Sequence, residues 1–172
     1  MHTNNEIGVV QPTDQIALMC DIHESIYHCD AAQTFSWNSL DVKKNAIHAV
    51  SISGHKFYAP KGIGALYIKR NIKNVLKPLI DGGGQEQGLR SGTLATPLVV
   101  GLGKAADITL KNSIRYYEHY MKLQQDLISK LNSENIDYEI NGSLQYRSLN
   151  NLNISIKNLP SSQLIMGQKE VA

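Results

Sequence analysis

Lys56 follows Ser53, Gly54 and His55, where the run AVSIS (Ala49–Ser53) stops. An amine at the C-terminal end of a sheet strand can point into the crevice where ligands of open α/β sheets bind. A lysine there can condense with a carbonyl if its surroundings depress its pKa. The plainer reading is a solvated lysine after a strand. Ser53, Gly54 and His55 favour the first reading, because small and hydroxyl residues allow close backbone approach to an anion.

Asp30 ends a second apolar run and is followed by Ala31, Ala32 and Gln33. Two small residues after a strand-end carboxylate leave room for a flat ligand. A carboxylate beside a pyridine ring can hold its nitrogen protonated. The alternative is an aspartate that opens a turn. Gln33 can donate to an oxygen on the same ring, or simply lie at the surface. His28 and His55 lack a third ligand at useful spacing and do not point to a metal. Cys29 in a strand and Cys20 in a helix read as small buried hydrophobes. GHKFYAPKG lacks the P-loop pattern, and GGGQEQG is not the glycine fingerprint of a dinucleotide site.

These side chains need a scaffold. Pro12 and Thr13 open a helix with Ile16, Leu18, Met19 and Ile22 as its apolar face. Residues 26–29 form a short strand ending at Asp30, and residues 35–46 are polar and mixed. Ala49–Ser53 and residues 64–69 are two further strands. Strand, helix and strand in this order point to an α/β sheet. Residues 81–97 form a long glycine-rich loop, exposed or at an interface. One long helix is expected over 98–131, since its apolar residues recur at three- and four-residue steps. YEING and NLNISI read as short strands, and PSSQLIMGQKEVA as a helix start with Ser161 or Ser162 as cap.

The chain has 172 residues, 42% of them hydrophobic and 19% charged, with a net charge of +2. That charge and the lack of a like-charge block argue against a nucleic-acid arm or a membrane-surface helix. No apolar run approaches the ~18 residues of a membrane span, and no signal peptide is evident. Two cysteines without CxxC spacing suggest a reducing, cytoplasmic setting. Both ends are abrupt, so the chain reads as a piece of a longer protein.

Taken together, MHTNNEIGVVQP, YHCDAAQ, SISGHKFYAPKGIGALYIKR, GGGQEQGLRSGTLATP and, more weakly, NLNISI resemble the cysteine desulfurase family. That family lies within the class V aminotransferase group of pyridoxal-phosphate enzymes. The resemblance implies a fragment of the large α/β pyridoxal-phosphate-dependent transferase fold (fold type I). Its sheet should be mixed and mostly parallel, with helices, followed by the start of a small α+β lobe. Residues 1–95 would belong to the cofactor-binding large domain, 96–133 to a connecting helix, and 134–172 to the small C-terminal domain.

The same resemblance implies roles. Lys56 resembles the lysine that holds pyridoxal 5'-phosphate covalently and then acts as a general base. Asp30 looks like the partner of the pyridinium nitrogen, and Gln33 like the donor to the phenolic oxygen. Ser53 and His55 match phosphate-binding positions. Asn5 matches a residue close to cofactor and substrate. Thr93 in RSGT resembles the threonine that reaches the neighbouring subunit's phosphate in a homodimer. The implied substrate is L-cysteine, which leaves as alanine while a mobile cysteine takes the sulfur as a persulfide. That sulfur would pass to an iron–sulfur scaffold or a tRNA-thiolation protein. Cys20 and Cys29 match nothing catalytic. The family's mobile cysteine and its substrate-gripping arginine are expected beyond residue 172, and another phosphate loop and a ring-stacking histidine before residue 1. His48 replaces a usual aspartate, and SWN at 36–38 replaces a usual Gly-Lys. The expectation is a central fragment without desulfurase activity of its own. The alternatives are a selenocysteine lyase or other class V aminotransferase, and a non-catalytic truncated gene product.

Overall fold

The computed structural model describes residues 1–34, 40–44 and 46–168. The SWN segment lies outside the described residues, as does much of the polar stretch around it.

Helix α1 (Thr13–Ile22) starts directly after Pro12, whose fixed φ suits a helix entry. Its contact face differs from the expected one. Thr13 and Ala17 are buried, whereas Leu18, Met19 and Ile22 are each more than half exposed. The small residues at i and i+4 let the helix sit close to the sheet, which turns the larger side chains outward. Cys20 is only partly buried, in contrast to the expected buried hydrophobe.

Strands β1 (His28–Asp30), β2 (Ala49–Ser53) and β3 (Gly64–Ile68) form one sheet in the order β1-β2-β3. β1 runs parallel to β2, and β3 runs antiparallel to it. β1 starts two residues later than expected. Tyr27 lies just before it, with its carbonyl accepting from the backbones of His48 and Ala49 and its N–H donating to His48 Nδ1 at 3.1 Å. Cys29, Val50 and Ile47 pack with Ala17 and Ala31 beneath the sheet. Burying a Val or Ile side chain contributes about 1.5–3 kcal/mol.

The long helix expected over 98–131 is two helices, α2 (Thr96–Lys111) and α3 (Ser113–Ser133). Asn112 separates them with φ −104° and ψ 8°, and its side-chain amide donates to the Ile108 carbonyl at 2.8 Å. Asparagine competes with the helix backbone in this way, which the apolar periodicity does not register. Beyond α3, β4 (Tyr138–Ile140) and β5 (Ile154–Ile156) pair as an antiparallel two-stranded sheet. Helix α4 (Ser161–Gly167) follows Pro160, and no serine side chain caps it.

The first residues form a short hairpin. Thr3 bridges Val10, the Asn4 N–H donates to the Val9 carbonyl, and the Gln11 N–H donates to the His2 carbonyl at 2.7 Å. At its base, the His2 N–H donates to the Asp30 carbonyl at 2.8 Å, and His2 Nδ1 lies 2.8 Å from Thr34 Oγ1.

Candidate functional site

Because β1 and β2 are parallel, their C-terminal ends lie at one sheet edge. Asp30 is opposite Ser51, and the Ala31 N–H donates to the Ser51 carbonyl at 2.9 Å. Side chains alternate along each strand. Cys29 and Val50 therefore face the core, while His28, Asp30, Ser51 and Ser53 share the other face. The 3.2 Å contact between His28 Nε2 and Ser51 Oγ lies on that second face. This pair was not legible as part of the site, since only the parallel register joins the two residues. The alternation of Ser51 with Ser53 was its one local signal.

Asp30 Oδ1 accepts from the Ala32 N–H at 2.8 Å. The carboxylate thus opens a turn, as its plainer reading anticipated, and still faces solvent at the strand edge. Gln33 is half-buried within that turn. The two readings of Asp30 are compatible, because one oxygen satisfies the turn.

After Ser53 the chain makes a 3-10 turn, Gly54–Phe57. Gly54 has no room for a side chain: a Cβ there would lie 2.7 Å from the Ile63 carbonyl and 2.9 Å from Leu102 Cδ1. Phe57 is buried with Ala59 and Ala105 of α2. Tyr58 closes the turn in the left-handed region at φ 70°. Pinning Gly54 and Phe57 inward leaves His55 and Lys56 exposed between them. Ser53 Oγ lies 3.1 Å from His55 Nδ1, a hydroxyl and a ring nitrogen paired beside Lys56.

Asn5 is exposed at the tip of the N-terminal hairpin, whose base is bonded to Asp30. Thr93 follows a loop braced by its own hydrogen bonds. The Gly92 N–H donates to Gln85 Oε1 at 3.0 Å, Ser91 is buried, and Arg90 Nη1 donates to the Ser91 carbonyl at 2.7 Å. Thr93 itself is exposed and makes no hydrogen bond among the described residues. The fold therefore collects Asp30, Ser53, His55 and Lys56 at one edge, and the hairpin that carries Asn5 is bonded to Asp30 at its base.

A lysine amine, a carboxylate and a serine–histidine pair around one sheet edge form a donor set suited to a flat, anionic ring carrying a carbonyl. The Aminotransferase class-V family profile matches residues 1–172.

The chain belongs to the aminotransferase class-V family. This class-V chain is 44% identical over 173 residues to a mitochondrial cysteine desulfurase of Arabidopsis thaliana, with all of the chain covered and 38% of the relative. Among solved structures, a NifS-like protein superposes with TM-score 0.87 at 36% identity, covering 95% of this chain and 44% of that one. SspA in complex with cysteine superposes with TM-score 0.76 at 38% identity, covering 98% and 45%. The class-V chain spans about 40% of the length of the curated relatives it matches. The fold is accordingly that of a fold type I fragment. Among the described residues, no helix is long and apolar enough to cross a membrane.

Proposed function

We propose that this chain is the cofactor-holding portion of a pyridoxal 5'-phosphate-dependent cysteine desulfurase, whose whole protein converts L-cysteine to L-alanine and a persulfide sulfur. The observation that carries this reading is the parallel register of Asp30 with Ser51, which brings the Asp30 carboxylate and the turn bearing Lys56 to one edge. Bound there, pyridoxal phosphate supplies an electron sink for bond cleavage at the Cα of an amino acid. The chain's own residues do the rest. The Asp30 carboxylate would hold a proton on the ring nitrogen by electrostatic attraction. Ser53, His55 and the N–H groups of the turn would take the phosphate. Lys56 Nζ would hold the cofactor's carbonyl carbon, and its amine is the base available for a proton at the substrate's Cα. Gln33 would donate to the ring oxygen, and Asn5 would lie close to cofactor and substrate.

Neither cysteine is assigned the sulfur-accepting role. Cys29 faces the core and is fully buried, and Cys20 sits on α1. In the whole protein, Thr93 would reach the phosphate of a second copy in a homodimer. An iron–sulfur scaffold or tRNA-thiolation protein would take the sulfur, with no direct role for nucleic acid or membrane. The two unpaired cysteines fit a reducing compartment, the cytoplasm or, given the mitochondrial relative, an organelle matrix.

Borohydride trapping tests the reading. With pyridoxal phosphate added, the 172-residue chain should form one reduced adduct, mapped to Lys56 by peptide mass, and Lys56→Ala should form none there. Sulfide release from cysteine by the chain alone should stay at background. An unlabelled Lys56 would sink the cofactor assignment.

A further inference from the structure

The N-terminal hairpin that carries Asn5 is held at its tip by residues about 145 positions away. Asn151 Nδ2 donates to the Glu6 carbonyl at 3.0 Å and to the Asn5 carbonyl at 3.4 Å, and Asn153 Nδ2 donates to the Glu6 carbonyl at 3.2 Å. The backbone joins in: the Ser148 N–H donates to the Gly8 carbonyl at 2.8 Å, and the Val10 N–H to the Tyr146 carbonyl at 2.9 Å. Gly8 has φ +70°, and a Cβ there would lie 2.6 Å from Asn151 Oδ1.

What fixes the Asn151 amide is Arg147. Its guanidinium is buried, and burial pushes its pKa down. Among the described residues no carboxylate pairs with it. Nε donates to the Ser143 carbonyl at 3.1 Å, Nη2 to the Asn141 carbonyl, and Nη1 to both the Asn151 carbonyl and Asn151 Oδ1, at 3.3 and 3.2 Å. A buried charge without a counter-charge is costly to keep, so stability alone is a poor reason for it. Its geometric effect is clear. With Nη1 on Oδ1, the amide has one orientation, and Nδ2 must face the hairpin. A flipped amide would set Oδ1 against two carbonyl oxygens.

We propose that Asn151, oriented by Arg147, is a positioning residue that latches the tip of the Asn5 hairpin, whose base is bonded to Asp30, and so links the β4–β5 unit to the site. The consequence for ligand binding rests on the pyridoxal-phosphate reading. The latch itself does not.

The decisive variant is Asn151→Asp. It keeps the shape and the contact with Arg147 but removes the two donations to the hairpin. Amide hydrogen exchange and pyridoxal-phosphate titration are measured on the 172-residue chain. In Asn151→Asp, amides of residues 6–8 should exchange roughly tenfold faster, as expected for losing one or two hydrogen bonds, with α3 unchanged. Pyridoxal-phosphate affinity should fall by about the same factor, and Asn5→Ala should match it. Asn5→Ala combined with Asn151→Asp should be no weaker than Asn5→Ala alone, because one residue acts through the other. Unchanged exchange at 6–8, or fully additive losses, would overturn the proposal, and so would faster exchange throughout α3. If the unmodified chain takes up no pyridoxal phosphate, the cofactor reading fails while the exchange result still decides the latch.

Discussion

Asp30 stands opposite Ser51 in a parallel pair, and the Ala31 N–H crosses to the Ser51 carbonyl at 2.9 Å. Three residues beyond Ser51 the chain enters the turn of Lys56. Were β1 and β2 antiparallel, the acid and the amine would sit at opposite edges of the sheet and no single ring could span them.

Asp30→Asn separates the two jobs of this side chain. The amide still accepts from the Ala32 N–H and keeps the turn, but it carries no charge for a ring nitrogen. A hydrogen bond to a charged group is worth about 1.5–3 kcal/mol, so affinity for pyridoxal phosphate should fall roughly ten- to hundredfold. Absorbance titration measures this, and far-ultraviolet circular dichroism should be unchanged. Full affinity in the variant would remove Asp30 from the site.

Gly54→Ala should destabilise the chain by about 1–3 kcal/mol, because the added methyl meets backbone at Ile63 and the Leu102 side chain. Thermal melting reads this as a drop of roughly 2–4 °C for each kcal/mol. Relief of the clash would also tilt the turn, so borohydride labelling of Lys56 should slow. A melting temperature equal to the parent's would show that the pocket has slack.

Cys29 should resist alkylation in the native state while Cys20 reacts. Cys29 is fully buried, and burial raises its thiol pKa, which lowers the reactive thiolate fraction. Cys20 is partly exposed on α1. Iodoacetamide labelling followed by peptide mass mapping should find Cys20 modified first, with Cys29 following only in denaturant. Equal rates would contradict the packing of β1 on α1.

His2 makes stability depend on pH. Burial, the main cause, lowers its pKa from 6.5, partly opposed by Asp14. The folded chain therefore prefers the neutral ring, and the unfolded chain binds more protons below about 6.5. This contribution is fully present above that pH and is lost as pH falls through the lower folded value. Urea denaturation between pH 7.5 and 5 should show falling stability. His2→Gln, which keeps a hydrogen-bonding group for Thr34, should flatten that part of the profile. An unchanged slope would place the titration elsewhere.

Much of this was legible in local sequence. AVSIS gave its strand at both ends because β-branched residues meet a glycine that only a tight turn explains. Pro12 marked the start of α1 through its fixed φ. Motif resemblance named the family, whose profile covers the whole chain, and put forward Lys56, Asp30, Ser53 and His55 as its candidate site. Local signals failed where side chains compete or contacts are distant. Periodicity ran through Asn112 because it counts apolar spacing and not a side-chain amide turned on the Ile108 carbonyl. It also chose the large residues of α1 as the buried face, although close approach to the sheet requires the small ones.

The sequence by itself determined which residue types could hold a ring, an amine and an anion, since those depend on chemistry and on spacing within one segment. Tertiary structure alone decided that Asp30 and Lys56 share an edge, that His28 meets Ser51, and that Asn151 grips the tip bearing Asn5. Each of those relations joins residues distant in the chain, and the direction of a strand or the flip of an amide is set by what lies across from it.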